Sequence, residues 1–270
     1  MDKDTKLIHL ALDAGEIMIK NGAETFRVQD TMRRILATSG QEKIEAVALV
    51  TVLLATLPRK EKGPLSMMRA IHSRSVNFQK VCAVNDMSRA FVEGRISLDE
   101  AIQRLEDISR EREYLLPTRI IGYGLISGGF TLLSSFSPLN GLLSFFIGML
   151  LGAFSIWLGT KKMPYFLPPF LGGAFVALCA GGIYPLFPST NIDTIVIGGI
   201  IPLLPGVTFS KSMRDLMEGN IISGYTKAVE ALVIAGSLAG GVGLTLSYFI
   251  KTLGVSPPTP PPGHDALDLI

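Results

Sequence analysis

The chain has 270 residues, 25 basic and 23 acidic side chains, and a formal net charge of +2. That balance excludes a polycationic nucleic-acid binder and a strongly acidic disordered chain. With 48% hydrophobic residues and 28 glycines, and a mean hydropathy of +0.40, it is too apolar for an ordinary soluble domain.

The charges are unevenly spread. Residues 1–119 carry 36 of them, residues 120–210 carry 3 and residues 211–270 carry 9. This predicts an α-helical integral membrane protein with five transmembrane helices behind an N-terminal α+β cytoplasmic domain. The boundaries fall at 1–117, 118–254 and a Pro-rich tail at 255–270. No apolar secretory segment follows Met1-Asp2-Lys3-Asp4, so the front domain is expected to stay in the cytoplasm. Cys82 and Cys179 lie far apart in different settings, which does not make a disulfide framework.

In the front domain, Leu7, Leu10, Ala11, Ala14, Ile17 and Met18 recur at the helical period, and Asn21-Gly22 ends that helix. Val28, Met32, Ile35 and Leu36 mark a second helix, closed by Ser39-Gly40. Ile44 to Leu57 is too short to span a bilayer. Its β-branched residues suggest strands closed by the polar run Arg59–Gly63, with a buried helix as the competing reading. Leu65–Ile71 is the return strand. Helices follow over Phe78–Glu93 and Leu98–Tyr114, the latter opened by a capping box of Ser97 and Glu100.

Five apolar stretches follow, at about Ile120–Phe136, Gly141–Leu158, Tyr165–Tyr184, Thr194–Phe209 and Ala228–Ile250. Such lengths suit a hydrocarbon core about 30 Å thick. Basic residues precede the first stretch and occupy the second loop (Lys161, Lys162) and the fourth (Lys211, Arg214, Lys227). Alternating basic loops place the N-terminus inside and the C-terminus outside. Pro257–Pro262 reads as a solvated polyproline segment.

No metal, cofactor or nucleophile signature is present, so neither a cofactor nor a metal is expected. The fourth stretch is more informative. Pro202 and Pro205 remove two N–H donors, and Gly206 follows. In lipid the freed carbonyls need partners, and transporters use such breaks as binding sites. A kinked packing helix is the equally weighted alternative. Gly206 is expected to allow close approach or an unusual backbone angle. Glycine pairs four apart at Gly124/Gly128, Gly148/Gly152 and Gly236/Gly240 predict close helix contacts, within the chain or with a second subunit. Glu230 reads first as an interfacial ion pair with Lys227 and second as a gating or proton-coupling carboxylate.

Asn21-Gly22-Ala23-Glu24-Thr25-Phe26-Arg27-Val28, Arg74-Ser75-Val76-Asn77-Phe78, Pro202-Leu203-Leu204-Pro205-Gly206, Arg214-Asp215-Leu216, Gly219, Gly224 and Glu230-Ala231 together resemble the threonine/serine exporter family over residues 5 to about 250. The resemblance implies a secondary exporter of small amino acids at the cell membrane, coupled to the proton gradient. Some two-component members are linked to succinate-like dicarboxylates. Full-length members carry a second membrane half. This chain is therefore expected to be the larger component of a split, hetero-oligomeric system with a small integral membrane partner, surrounded by lipid and binding no nucleic acid. Pro202, Pro205, Gly206, Arg214, Asp215 and Glu230 are its substrate-path candidates. The competing class is a membrane-anchored hydrolase or sensor, with Glu24, Arg27, Arg74 and Asn77 as polar candidates in the front domain; capping and surface ion pairing are their plainer roles.

Overall fold

The computed structural model describes residues 2–59, 62–71, 76–111, 114–161 and 163–253. The order of elements is α1 (Lys3–Lys20), α2 (Thr25–Ala37), β1 (Glu45–Ala48), β2 (Val52–Leu57), β3 (Leu65–Ala70), α3 (Phe78–Val92) and α4 (Leu98–Arg110). Then come α5 (Leu116–Ser135), α6 (Pro138–Gly159), α7 (Leu167–Ile183), α8 (Ile192–Ile200), a 3₁₀ turn (Ile201–Leu203), α9 (Gly206–Met217) and α10 (Ile221–Leu253). The chain forms two compact units: Met1–Glu113 with Gly206–Glu230, and Tyr114–Pro205 with Ala231–Ile270. Gly206–Glu230, expected to belong to the membrane stretch, thus groups with the front of the chain.

In the first unit, the ambiguous stretch from Ile44 to Leu57 forms two antiparallel strands. The tight turn at Leu49–Thr51, where the Leu49 N–H donates to the Val52 carbonyl at 2.9 Å, rules out the buried helix. The sheet order is β1-β2-β3. On β2, Leu53, Ala55 and Leu57 point inward, as the two-residue period of a strand requires. They join Leu10, Met18, Met32, Ile35, Val84 and Leu105 in one core. Each fully buried Leu, Ile or Met there is worth about 1.5–3 kcal/mol. Gly15 lets α1 and α2 approach: a Cβ on it would lie 2.7 Å from Met32 Sδ.

The capping box forms by half. Ser97 Oγ accepts from the Glu100 N–H at 3.2 Å, but the Glu100 carboxylate accepts from Arg104 at 2.8 Å. The one-turn i,i+4 ion pair takes the side chain that the reciprocal bond needed. Helix α4 ends at Arg110, before Tyr114. The Pro-rich tail lies outside the described residues, as do Arg74, Lys60, Glu61 and Lys162.

In the second unit, α5 and α6 form a tight antiparallel pair. A Cβ on Gly128 would lie 2.9 Å from the Gly141 carbonyl, and one on Gly148 would lie 2.8 Å from the Tyr123 carbonyl. The first two glycine pairs therefore serve contacts within the chain. Gly236, in the third pair, has nothing within 4 Å of such a Cβ. Ile147, Leu151, Val176, Ala180, Ile195 and Val196 make the core, while Leu133, Leu142, Phe146, Leu150 and Trp157 are exposed. An apolar exterior of that kind suits hydrocarbon. By length and composition, α6 and Ile221–Lys251 can each cross a membrane; Ile192–Leu203 with Gly206–Met217 makes a third crossing if the broken pair is one span. The protein is a helical membrane protein.

The expected fourth span is not one helix. Leu204 is extended at φ −64°, ψ 135°, as a residue before proline prefers, and Pro205 supplies no N–H to continue the ladder. Ile192–Leu203 alone rises about 18 Å at the helical 1.5 Å per residue, short of a bilayer core of about 30 Å.

Candidate functional site

Two helix ends build the site in the first unit. Helix α1 stops in a Schellman motif. The Gly22 N–H donates to the Ile19 carbonyl at 3.3 Å and the Ala23 N–H to the Met18 carbonyl at 3.0 Å. Gly22 has φ 91°, a left-handed angle that favours glycine. Helix α9 ends the same way, with Gly219 donating to Leu216 at 3.1 Å, Asn220 to Asp215 at 2.8 Å, and Gly219 at φ 81°. That turn folds α9 against the first turns of α10. Gly224 permits the contact, since a Cβ there would meet Leu216 Cγ at 2.6 Å and the Leu216 N at 3.0 Å.

Within this helical hairpin, Asp215 is fully buried and Lys227 nearly so, and Lys227 Nζ lies 2.6 Å from Asp215 Oδ2. Lys227, expected to pair with Glu230 along its own helix, meets Asp215 across the hairpin. Ser212 Oγ donates to the Gly224 carbonyl at 2.8 Å. Asp215 Oδ1 and Ser223 Oγ are buried without a hydrogen-bond partner among the described residues.

Two hydrogen bonds join the α1–α2 corner to α9, and a ring contact joins α9 to α3. Arg214 Nη1 donates to Glu24 Oε1 at 3.0 Å. Lys211 Nζ donates to the Gly22 carbonyl, and the same ammonium sits over the Phe78 ring, 4.8 Å from its centroid. Arg27 Nη1 approaches Glu24 Oε2 at 3.7 Å. Asn77 caps α3, its Oδ1 accepting from the Lys80 N–H at 3.3 Å, and its own N–H donates to the Asn21 carbonyl at 3.1 Å. Glu24 keeps only 14% side-chain exposure while Arg214 keeps 61%, so the carboxylate is held and the guanidinium is accessible.

The structure therefore brings Glu24, Arg27, Asn77, Arg214 and Asp215 into one unit. Glu230 is half-buried at the end of the same unit. Pro202 and Pro205 belong to the other unit. Gly206 opens α9 and is exposed. A Cβ on it meets nothing within 4 Å, and it is absent from the left-handed glycines. The expectation of an unusual backbone angle at Gly206 is thus corrected. Sequence reasoning missed Lys211, the partner of Lys227, and Ser223. The available signal was periodic: Ser212 and Asp215 share one face of α9, and Ser223 and Lys227 share one face of α10, across a turn fixed by Gly219.

Residues 9–249 match the profile of the family described as "Putative threonine/serine exporter". The chain belongs to the threonine/serine exporter family. It is 23% identical over 245 residues to the "Threonine/serine exporter" of Corynebacterium glutamicum, covering 88% of this chain and 50% of that protein. It is 21% identical over 251 residues to the "Probable threonine/serine exporter" of Mycobacterium tuberculosis (strain ATCC 25618 / H37Rv), covering 89% and 46%. The chain thus spans about half the length of the curated relatives it matches. No solved structure matches. The family is one of transporters rather than enzymes, and both compartments of the matched region, charged and apolar, lie within it.

Proposed function

We propose that this chain is the membrane subunit of a secondary exporter of small amino acids, threonine and serine first among them. It crosses the cell membrane five times, with the fourth crossing, at about Thr194–Phe209, interrupted by the Pro202–Gly206 break. The N-terminus is cytoplasmic, the C-terminus is outside, and export is coupled to protons. A small integral membrane partner completes the transporter. The family membership supports the substrate class. The half-length match to the relatives is consistent with a missing complement.

The observation that carries the reading is the joining of Glu24 and Gly22 to Arg214 and Lys211. These residues are some 190 positions apart, yet they sit in one compact unit. Lys211, Arg214 and Lys227 favour the cytoplasmic side by the positive-inside rule, where an exporter must collect its cargo. The break at Pro202–Gly206 offers backbone donors and carbonyls within the apolar stretch, as broken helices in transporters do. The test is efflux of preloaded threonine, serine and succinate from cells expressing the chain with its partner, at two external pH values. Threonine and serine efflux that rises with an inward proton gradient is expected. Efflux of succinate alone would overturn the substrate class. A cytoplasm-only reporter fused after Leu253 should stay silent; a signal would overturn the five-crossing topology.

A further inference from the structure

Lys211 is a half-buried cation with an unusual set of neighbours. Its ammonium meets a backbone carbonyl, that of Gly22, and the face of Phe78. Among the described residues no carboxylate lies within ion-pair distance of it. A partly buried ammonium with no carboxylate at ion-pair distance keeps the capacity to take an anion beside the carbonyl and the ring. The charges of Lys227, Glu24 and Asp215 all act on it, so it lies in the same electrostatic neighbourhood as the α9–α10 ion pair.

Asp215 presents the complementary deficiency. Its Oδ2 holds Lys227, but Oδ1 is buried and accepts from nothing described. An unsatisfied carboxylate oxygen carries the full desolvation penalty of that atom. Residues 211 and 215 stand at i and i+4 on α9, which places their Cβ atoms about 5–6 Å apart on one face. That spacing suits a small molecule carrying a carboxylate and an ammonium on one carbon. Ser223 Oγ, also buried and unpartnered, is one turn before Lys227 on α10 and so faces the same hairpin interior.

We propose that Lys211 and the Oδ1 of Asp215 form a headgroup site for an α-amino acid. Lys211 takes the α-carboxylate, Asp215 takes the α-ammonium, and Ser223 Oγ serves a side-chain hydroxyl. The site rests on the exporter reading and deepens it, because it selects a zwitterion over a dianion. A dicarboxylate would set its second negative charge beside Asp215 and gain no donor there. Asp215 is closed to solvent, so loading requires the α9–α10 hairpin to open.

The test is calorimetric titration of the full chain in detergent micelles with L-threonine, threoninamide and 3-hydroxybutyrate. The amide lacks the carboxylate and the hydroxy acid lacks the ammonium. The parent should bind threonine at least about tenfold more tightly than either, the scale of one charge-assisted contact. Lys211→Gln should erase the advantage over the amide and leave binding of the amide unchanged. Ser223→Ala should reduce discrimination between threonine and 2-aminobutyrate. Lys211→Gln leaves the Asp215–Lys227 pair intact but loses the contacts to the Gly22 carbonyl and the Phe78 ring. A helical circular dichroism spectrum matching the parent, rather than an unchanged melting temperature, therefore checks that the variant is folded. Parent affinity for threonine in Lys211→Gln, or no threonine binding by the parent, overturns the site. If cells export threonine with an unchanged KM in Lys211→Gln, the site falls and the exporter reading stands. If the purified chain binds threonine through Lys211 but cells do not export it, the exporter reading falls and the site stands.

Discussion

Replacing Lys227 with Met leaves the Asp215 carboxylate in the hairpin interior without its cation. Both groups are shut off from water, with 8% and 0% side-chain exposure, and their charged atoms are 2.6 Å apart. Bulk solvent therefore neither screens the pair nor rehydrates the survivor. Removing one member of such a pair costs about 3–5 kcal/mol, a large share of the roughly 5–15 kcal/mol that holds a domain together. The double replacement Asp215→Leu with Lys227→Met removes both charges and both desolvation penalties. Because Oδ1 has no donor even in the parent, the pair is incompletely compensated, and the double variant should return to within about 1–2 kcal/mol of the parent. The assay is chemical unfolding of the full chain in micelles, followed by helical circular dichroism, for the parent, both single variants and the double. Recovery of stability in the double with loss of threonine binding would separate the structural from the recognition role of Asp215. A cost below about 1 kcal/mol for Lys227→Met is the value expected of an exposed ion pair and would refute the argument.

Three further outcomes follow from local geometry. Gly224→Ala pushes a methyl into Leu216 Cγ and against its backbone nitrogen; it should destabilise the hairpin by about 1–3 kcal/mol, seen as lower membrane levels, whereas Gly206→Ala, with open space around its Cβ, should leave them unchanged. Gly206→Leu that inserts normally yet exports nothing would place the helix break on the transport path, and parent-level efflux would remove it. At Glu16, burial pushes the carboxyl up, but hydrogen bonds from Lys20 and Arg69 outweigh it and hold the group below the usual carboxylate range. A depressed folded value means that its stabilisation is present above the unfolded carboxylate pKa and is lost as pH falls through the lower folded one. Glu16→Gln should therefore cost about 1 kcal/mol at pH 7, a figure reduced for the partial exposure of Arg69, and nothing once the parent carboxyl is protonated; a pH-independent difference in unfolding midpoint would refute it.

Local physics made much of this protein legible from its residues. The apolar period set the faces of α1 and α2, and alternation with β-branched residues favoured strands between Ile44 and Leu57. Asn21-Gly22 marked a helix end because only a left-handed residue closes a Schellman motif cheaply, and Pro202 with Pro205 marked a break because proline lacks the N–H a helix needs. These features depend on a few neighbours along the chain. What the tertiary structure decided depends on which surfaces meet. A glycine's letter does not reveal whether its missing Cβ faces Leu216, as at Gly224, or open space, as at Gly206. Lys227 had a carboxylate three residues away on its own helix, but the fold brought Asp215 to it across twelve positions, where both charges lose water together. Glu24 and Arg214 meet over 190 positions. Ion pairs act through space, over a few ångströms, and only the folded chain fixes which charges come that close.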